Sequence, residues 1–309
     1  MTILVGYPLK RRAKAVLSLA GMLARTSGED LMVCVVIPAP WMPGLSRADQ
    51  GYRAYIDELV DSAMSQARED MPADVSVQYT TVQSKSASSG LVEAAKEHNA
   101  SVIVVGSSDS GQFGYISLSS VADRLLHSSP VPVAVATRGF RAVGGSIKRI
   151  TLAFTGGEQS SLLLVSARAL AAQYGCQLRL ASFAVHLSPP ETARFQAEGA
   201  AVLAEWTDNM YAAAEKALTS GGHPPAEQPE IVIGHGRDWD EAFESIEWEP
   251  GDVLVIGSSE TGPVSRVFLG SRATKIVRHT PVPVFVVPRS AAEELAEEAQ
   301  EAQKESGDS

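Results

Sequence analysis

Only two cysteines, Cys34 and Cys176, occur in the 309 residues. Two thiols make neither a disulfide framework nor a zinc-ligand spacing, so a reducing compartment is the default expectation. Cys34 stands inside the apolar run LMVCVV and reads as a small core residue. Concentrated basic charge is equally scarce. The formal charge is −10, and the one compact cluster, Lys10-Arg11-Arg12, is too small to neutralise a row of nucleic-acid phosphates. No nucleic-acid partner is expected. Small anions stay open, because backbone N–H groups gathered in a nest hold phosphate even in an acidic protein. No apolar run approaches the roughly 18 residues that span a bilayer. The start, MTILVGYPLKRR, lacks the basic, apolar and cleavage-site order of a signal peptide. These absences predict a cytoplasmic protein without membrane insertion.

Catalytic signatures are missing as well. There is no G-x-S-x-G elbow, and nothing in the sequence pairs a serine of SKSASSG (residues 84–90) with a base. That stretch reads as a flexible turn open to modification. The histidines do not cluster. His127 and His279 close corresponding helices, where a cation complements the helix dipole. His235, in GHGRDWDE, has Asp238 and Asp240 nearby, but the spacing fits no standard metal pattern. Asp238 followed by Glu241 is instead a capping box. Trp206 and Tyr211 fit a packed helix better than a base-stacking platform. The sequence predicts no catalytic set and no metal site.

What the chain does have is one pattern written twice. VVGSSDSGQFGYISLSSVADRLLHSSPVPVAV at 104–135 corresponds at a fixed offset to VIGSSETGPVSRVFLGSRATKIVRHTPVPVFV at 255–286. Gly106 falls on Gly257, Gly111 on Gly262, Ser120 on Ser271, and Pro130 and Pro132 on Pro281 and Pro283. The repeat extends upstream, where ILVGYPLKRRAKAVLSLAGMLA (3–24) matches ITLAFTGGEQSSLLLVSARALA (150–171). Each is an apolar strand, a polar turn and a helix-period run. Second strands follow (LMVCVVIP, LRLASFAVHL), then helices around 47–70 and 191–219. Third strands are VSVQYTTV and EIVIGH. Ser89 is the expected cap of the helix GLVEAAKEH. Fourth strands, SVIVVG and DVLVIG, are continuous apolar runs of the kind buried on both faces of a parallel sheet.

The order β-α-β-α-β-α-β-α-β, twice, predicts an α/β protein of two tandem doubly wound parallel-sheet domains with five strands each. The expected domains are 1–140 and 146–290, followed by an acidic, solvated tail at 291–309. The closing strands VPVAVAT and VPVFVVP each carry a proline, Pro132 or Pro283. They are expected at a sheet edge or at a pairing interface.

In an open α/β sheet, ligands bind beyond the carboxyl ends of the strands, where the strand order reverses. Gly257 ends the fourth strand of the second half. The loop after it supplies Gly262 and then Gly270-Ser271 at a helix start. Glycine lets backbone approach phosphate, helix-start N–H groups point at the anion, and a serine hydroxyl adds a donor. A plain strand-to-helix turn would use the same residues.

The element order, the repeat and the loop VLVIGSSETGPVSRVFLGSRATKIVRHTPVPVFVVP together resemble the universal stress protein family in its tandem two-domain form, over residues 1–290. The resemblance implies an adenine-nucleotide alpha-hydrolase-like fold, a stress-response role and the loop pattern G-x2-G-x9-G-[S/T]. It also implies an aspartate after the first strand, near the adenine, in members that bind ATP. In the second half Gly257, Gly270 and Ser271 match and Glu260 replaces the second glycine. In the first half Gly106 and Ser120 match, while Asp109 and Ser119 replace the second and third glycines. The aspartate is missing in both: Tyr7 or Pro8 stands there in the first half, Thr155 in the second.

A carboxylate at 109 or 260 would repel phosphate unless turned outward or bridged by a cation. At an effective dielectric of about 20, unit charges about 4 Å apart interact by roughly 4 kcal/mol. The expectation is therefore a first half that has lost nucleotide binding. The second half keeps a reduced site at Gly257, Gly262, Gly270, Ser271 and Thr155, for ATP or another adenine nucleotide, with magnesium as the bridging cation if Glu260 needs one. The resemblance further implies pairing through the last strands, as a pseudo-dimer within the chain or as a homodimer. Two alternatives stay open. One is an interaction module acting through a protein partner. The weaker is slow ATP hydrolysis, which would need a water-activating base that the sequence does not supply.

Overall fold

Valine- and isoleucine-rich runs alternate with helix-period runs twice along the chain, and each forms an element of the fold. The structure is a computed structural model that describes residues 1–39, 47–142, 145–185, 193–219, 229–258, 270–288 and 291–292. Contacts divide the chain into two units, Met1–Ser146 and Ile147–Ser309.

The first unit runs β1 (Thr2–Gly6), α1 (Lys14–Ser27), β2 (Asp30–Pro38), α2 (Arg47–Asp70), β3 (Val77–Ser84), α3 (Ala87–Glu97), β4 (Ala100–Gly106), α4 (Ser120–Leu125) and β5 (Val133–Ala136). Its strands pair in parallel in the order β3-β2-β1-β4-β5. The order reverses between β1 and β4, so the loops leaving these two strands diverge and open a crevice at their carboxyl ends. In β4, Val102, Ile103, Val104 and Val105 are all buried, as expected for a strand covered on both faces. Leu17 and Leu19 of α1 are fully buried, each contributing about 2 kcal/mol by removal of apolar surface from water. Gly28 ends α1 at φ 73, with its N–H on Ala24 O at 2.8 Å. This left-handed cap suits glycine, which has no Cβ to strain.

The second unit repeats the plan. It runs β6 (Arg149–Ala153), α5 (Glu158–Tyr174), β7 (Gln177–Val185), α6 (Ala193–Thr219), β8 (Glu230–Gly236), α7 (Trp239–Glu244), β9 (Asp252–Gly257), α8 (Ser271–His279) and β10 (Val284–Val287). Its parallel order is β8-β7-β6-β9-β10, reversing between β6 and β9. A charged cluster sits at the amino ends of these strands, away from the crevice. Arg149 and Arg179 both face Asp252, and the Arg179 guanidinium lies 4.9 Å above the Trp248 ring.

Several local expectations change in detail. Pro132 and Pro283 stand immediately before β5 and β10 rather than inside them. Their carbonyls still join the ladder, accepting the Ile103 and Leu254 N–H groups at 2.9 Å, so the missing proline N–H costs no strand bond. The cap of α3 is Ser86, whose hydroxyl accepts the Ser89 N–H at 3.2 Å. Residues 87–90 are thus the first turn of a helix and not a flexible loop. Asp238 caps α7 as expected, accepting the Glu241 N–H at 2.9 Å, but Glu241 returns its bond to the Arg237 N–H. His127 lies two residues beyond α4, its Nδ1 2.7 Å from Asp123 O. On α6 Trp206 is half-buried, whereas Tyr211 is exposed rather than packed. Cys34 is buried in β2 and Cys176 half-buried before β7. The tail begins less exposed than expected: Ala291 and Ala292 are buried, and Ser166 of α5 donates to Ala292 O at 3.2 Å. The remainder of the acidic tail lies outside the described residues.

Candidate functional site

In the second unit, Gly257 is the last residue of β9, and Thr155 follows β6 by two residues. These strands are paired, Leu152 opposite Val255, which brings the two residues to neighbouring strand ends at the order reversal. Thr155 is exposed and its hydroxyl donates to Ser160 Oγ at 3.4 Å. The Ser258 N–H is held on Val287 O at 3.0 Å, which fixes the exit direction of the chain after Gly257. A Cβ added at Gly257 would meet only Leu163, at an ordinary 3.4 Å. Packing among the described residues therefore does not demand glycine there. Gly106, its counterpart, differs: a Cβ would lie 2.7 Å from Val16 Cγ2, so close approach of α1 to β4 accounts for that glycine.

The helix starts differ in the same way. Gly270 caps α8 with no side-chain hydrogen bond, and no acidic residue occupies the first turn. Among the described residues, the N–H groups opening α8 thus meet no competing side-chain acceptor at the cap, and the partial positive charge of the helix start is not offset by a carboxylate in that turn. Ser119, the counterpart of Gly270, caps α4 itself by accepting the Ala122 N–H at 3.1 Å. Gly262 and Glu260 lie outside the described residues.

His235 sits on β8 with its N–H on Ser245 Oγ at 3.0 Å. His279 does more than complement a dipole. Its Nδ1 lies 2.6 Å from Asp240 Oδ1, and its ring stacks on Trp239 with centroids 6.5 Å apart, which ties the end of α8 to α7. Among the described residues, no three His, Cys, Asp or Glu side chains are grouped to hold a metal.

The first unit carries a feature that the sequence reading missed. A cavity of about 340 Å³ opens at the carboxyl ends of β1, β4 and β5, beside the start of α1. Its charged lining is Arg11, Arg12, Lys14 and Arg138 against Asp109 alone. Arg11 bridges the crevice, pairing with the Asp109 carboxylate and donating to Ser107 O at 3.1 Å. Asp109 therefore has the cation that a carboxylate in this position requires, supplied by the chain. Arg12 pairs with Asp70 and Glu69 of α2, and Lys14 reaches Asp70 at 3.3 Å. The Arg12 hydrogen bond holds the Asp70 carboxyl below its ordinary range. Arg138 donates to Gly111 O.

Tyr7 is, with Pro8, one of the two residues at the place where the resemblance implies an aspartate. It is buried, its hydroxyl accepts the Ala13 N–H at 3.3 Å, and burial pushes the phenol pKa upward. The phenol thus closes the turn from β1 into α1. The loop after β4 folds on itself through Ser108 N–H on Ser117 O at 2.7 Å and Ser117 N–H on Ser107 Oγ at 2.8 Å. One sequence signal pointed here. Lys10-Arg11-Arg12 is too short for a nucleic-acid footprint, but it lies in the turn between the first strand and the first helix, on the ligand-binding edge.

Comparison with known proteins places these features in a lineage. The family model described as "Universal stress protein family" matches residues 1–137 and again 146–288. A universal stress protein of Mycobacterium tuberculosis and one of Mycobacterium bovis are each 35% identical over 295 residues, covering 93% of this chain and all of the relative. Among solved structures, a universal stress protein from Archaeoglobus fulgidus aligns with a TM-score of 0.60 at 21% identity, covering 93% of this chain and 98% of its own. One from Pseudomonas aeruginosa, titled a putative universal stress protein, aligns at 0.57 and 16%, covering 96% and 97%. At these identities the structural matches speak for the fold.

Proposed function

The chain belongs to the universal stress protein family, in tandem form, and on that premise we propose that it is a cytoplasmic regulatory protein whose second unit holds an adenine nucleotide, ATP foremost. The observation that carries this reading is the start of α8. Gly270 leaves the opening N–H groups of a nine-residue helix without a side-chain cap or an acid in the first turn, an arrangement suited to a phosphate. Gly257 adds support, since packing among the described residues leaves room there for a side chain that the sequence omits. Thr155, at the neighbouring strand end, supplies a hydroxyl where the family resemblance implies a carboxylate. Gly262 and Ser271 belong to the same proposed site. The role proposed is binding rather than turnover, since the site is built of groups that hold a phosphate.

The test is a calorimetric titration of the whole chain with ATP, with and without magnesium. Binding that Gly270→Val removes supports the reading. Heat that appears only with magnesium assigns the ion as the bridge to Glu260. A second reading, an interaction module working through a protein partner, draws on Thr155 and on the self-capped Ser119. Absence of binding at millimolar ATP would favour it.

A further inference from the structure

Strand β3 ends the sheet of the first unit, with β2 on one side only. An outer strand carries a row of unpaired N–H and C=O groups, and proteins shield that row with charge, proline, bulges or brevity. β3 has none of these. VQYTTVQS runs for eight residues without a charge or a proline. Its register with β2 is unbroken from Val77 opposite Leu31 to Ser84 opposite Pro38. Five of its residues are valine, tyrosine or threonine, types well suited to an extended strand. Its counterpart in the second unit is shielded. β8 opens on the exposed Glu230 and carries the exposed His235. Gly234 and Gly236 of β8 lie so close to α7 that a Cβ would stand 2.4 Å from Ala242 O and 2.5 Å from Glu241 Cβ. Two glycines weaken that strand as a template.

The ladder fixes which residues of β3 face outward. The Leu31 N–H bonds Ser76 O and the Ala39 N–H bonds Ser84 O, both at 2.9 Å. In a parallel ladder alternate residues address the same neighbour, so Gln78, Thr80 and Val82 also turn to β2. Val77, Tyr79, Thr81 and Gln83 therefore point their N–H and C=O groups away from the sheet, and among the described residues no strand pairs with that side. We propose that this edge is a docking surface for a second copy of the chain, β3 against β3, antiparallel about a two-fold axis. An axis normal to the sheet preserves its faces, so odd-numbered residues stand opposite odd and even opposite even. One register engages all the outward residues. It sets Val77 opposite Gln83 and Tyr79 opposite Thr81, each in both directions, with Thr80 opposite its own copy on the axis. Each outward pair exchanges two hydrogen bonds, about eight in all. The side chains agree with the backbone, because aromatic with β-branched and threonine with threonine are favourable cross-strand pairs. Charge favours a second copy as the occupant. Two chains of net charge −10 repel over much of their surfaces, whereas this strand is neutral. The same register places the exposed Lys85 of each copy opposite Val75 of the other, next to Asp74, a carboxylate that Arg25 also pairs.

The test is sedimentation velocity of the whole chain over a range of concentrations, and a monomer–dimer equilibrium is expected. Thr81→Pro removes an outward N–H and leaves the bonds to β2 in place, at a position where an outer strand tolerates proline. It should weaken association by about tenfold or more, while the melting temperature stays close to that of the parent. Thr80→Cys sets two thiols opposite each other at a non-hydrogen-bonded pair, where Cα atoms are about 4.5 Å apart and within disulfide reach. Mild oxidation should join two copies through residue 80. Peptide mapping distinguishes that link from any through Cys34 or Cys176. Gln78→Cys, which would face Val82 of the second copy, should not cross-link in this way. A parent that stays monomeric up to about 1 mM overturns the proposal. A dimer that Thr81→Pro leaves intact also overturns it, by assigning association to another surface. So does a Thr80→Cys protein that cross-links no faster than Gln78→Cys.

Discussion

Arg149 grips Asp252 with two hydrogen bonds, Nε to Oδ1 at 3.0 Å and a terminal nitrogen to Oδ2 at 2.6 Å. The carboxylate is almost wholly buried, and Arg179, itself 2% exposed, stands 3.5 Å away on the other side. Arg179 also donates to Thr151 Oγ1 and Glu247 O, but one of its terminal nitrogens has no hydrogen-bond partner among the described residues. Burial first, and the Arg149 charge next, lower the Arg179 pKa. Two cations thus share one buried anion across β6, β7 and β9.

Removing that anion should be costly. Asp252→Ala leaves two guanidinium groups with no buried counter-charge, and the expected loss is about 3–5 kcal/mol. Urea unfolding followed by circular dichroism measures it. A loss below about 1 kcal/mol would mean that water or a nearby glutamate replaces Asp252 at little cost.

The paired glycines should respond oppositely. Gly106→Ala forces a methyl against Val16 and should destabilise by about 1–3 kcal/mol. Among the described residues Gly257→Ala meets only ordinary contact with Leu163, and it should leave the melting temperature nearly unchanged while weakening ATP binding. Equal destabilisation by both would remove the packing distinction between them.

Gly270→Ser copies the arrangement of Ser119 onto α8. A serine cap is a few tenths of a kcal/mol better than glycine, so stability should hold or rise slightly. ATP affinity should fall, because the new hydroxyl oxygen competes for the helix-start N–H groups. Tighter binding would show that the hydroxyl contacts the ligand instead.

Acid should expose the role of two first-unit pairs. Arg12 holds Asp70 below the usual carboxylate range, and Arg25 holds Asp74 at about 2. A carboxylate whose pKa falls on folding adds stability that is complete above its unfolded value, about 3.9. That stability disappears as pH falls through the folded value. The parent should therefore melt above an Arg12→Gln, Arg25→Gln double variant at neutral pH, and the two should converge as pH approaches about 2. A gap that stays constant with pH would assign it to packing of the arginine stems.

The architecture was legible because it is periodic. Continuous apolar runs such as VLVIG make buried parallel strands wherever they occur, and the repeat supplied each element a second time. Caps were legible where the acceptor is a single residue, as at Asp238. They were less so in SKSASSG, where several serines compete and only the helix start selects Ser86. The candidate Gly257 came from the rule that strand ends define the crevice, and Thr155 from the family pattern; the pairing of β6 with β9 brings them to neighbouring strand ends. No local pattern joins Arg11 to Asp109, which are far apart in sequence. Their meeting depends on β1 and β4 being neighbours, which is a property of strand order. Tyr7 was visible only as a departure from a family pattern, and its role as an acceptor for Ala13 needed the turn itself.

The burial of Cys34 has a practical consequence. Its thiol is pushed up to about 12, and Cys176 is also raised, by partial burial. Alkylating reagents attack the thiolate, so Cys34 must wait for its surroundings to open, whereas Cys176 is partly exposed in the folded state. Labelling of Cys34 read by mass spectrometry would report the opening free energy of the first unit, with Cys176 as an internal reference in the same sample.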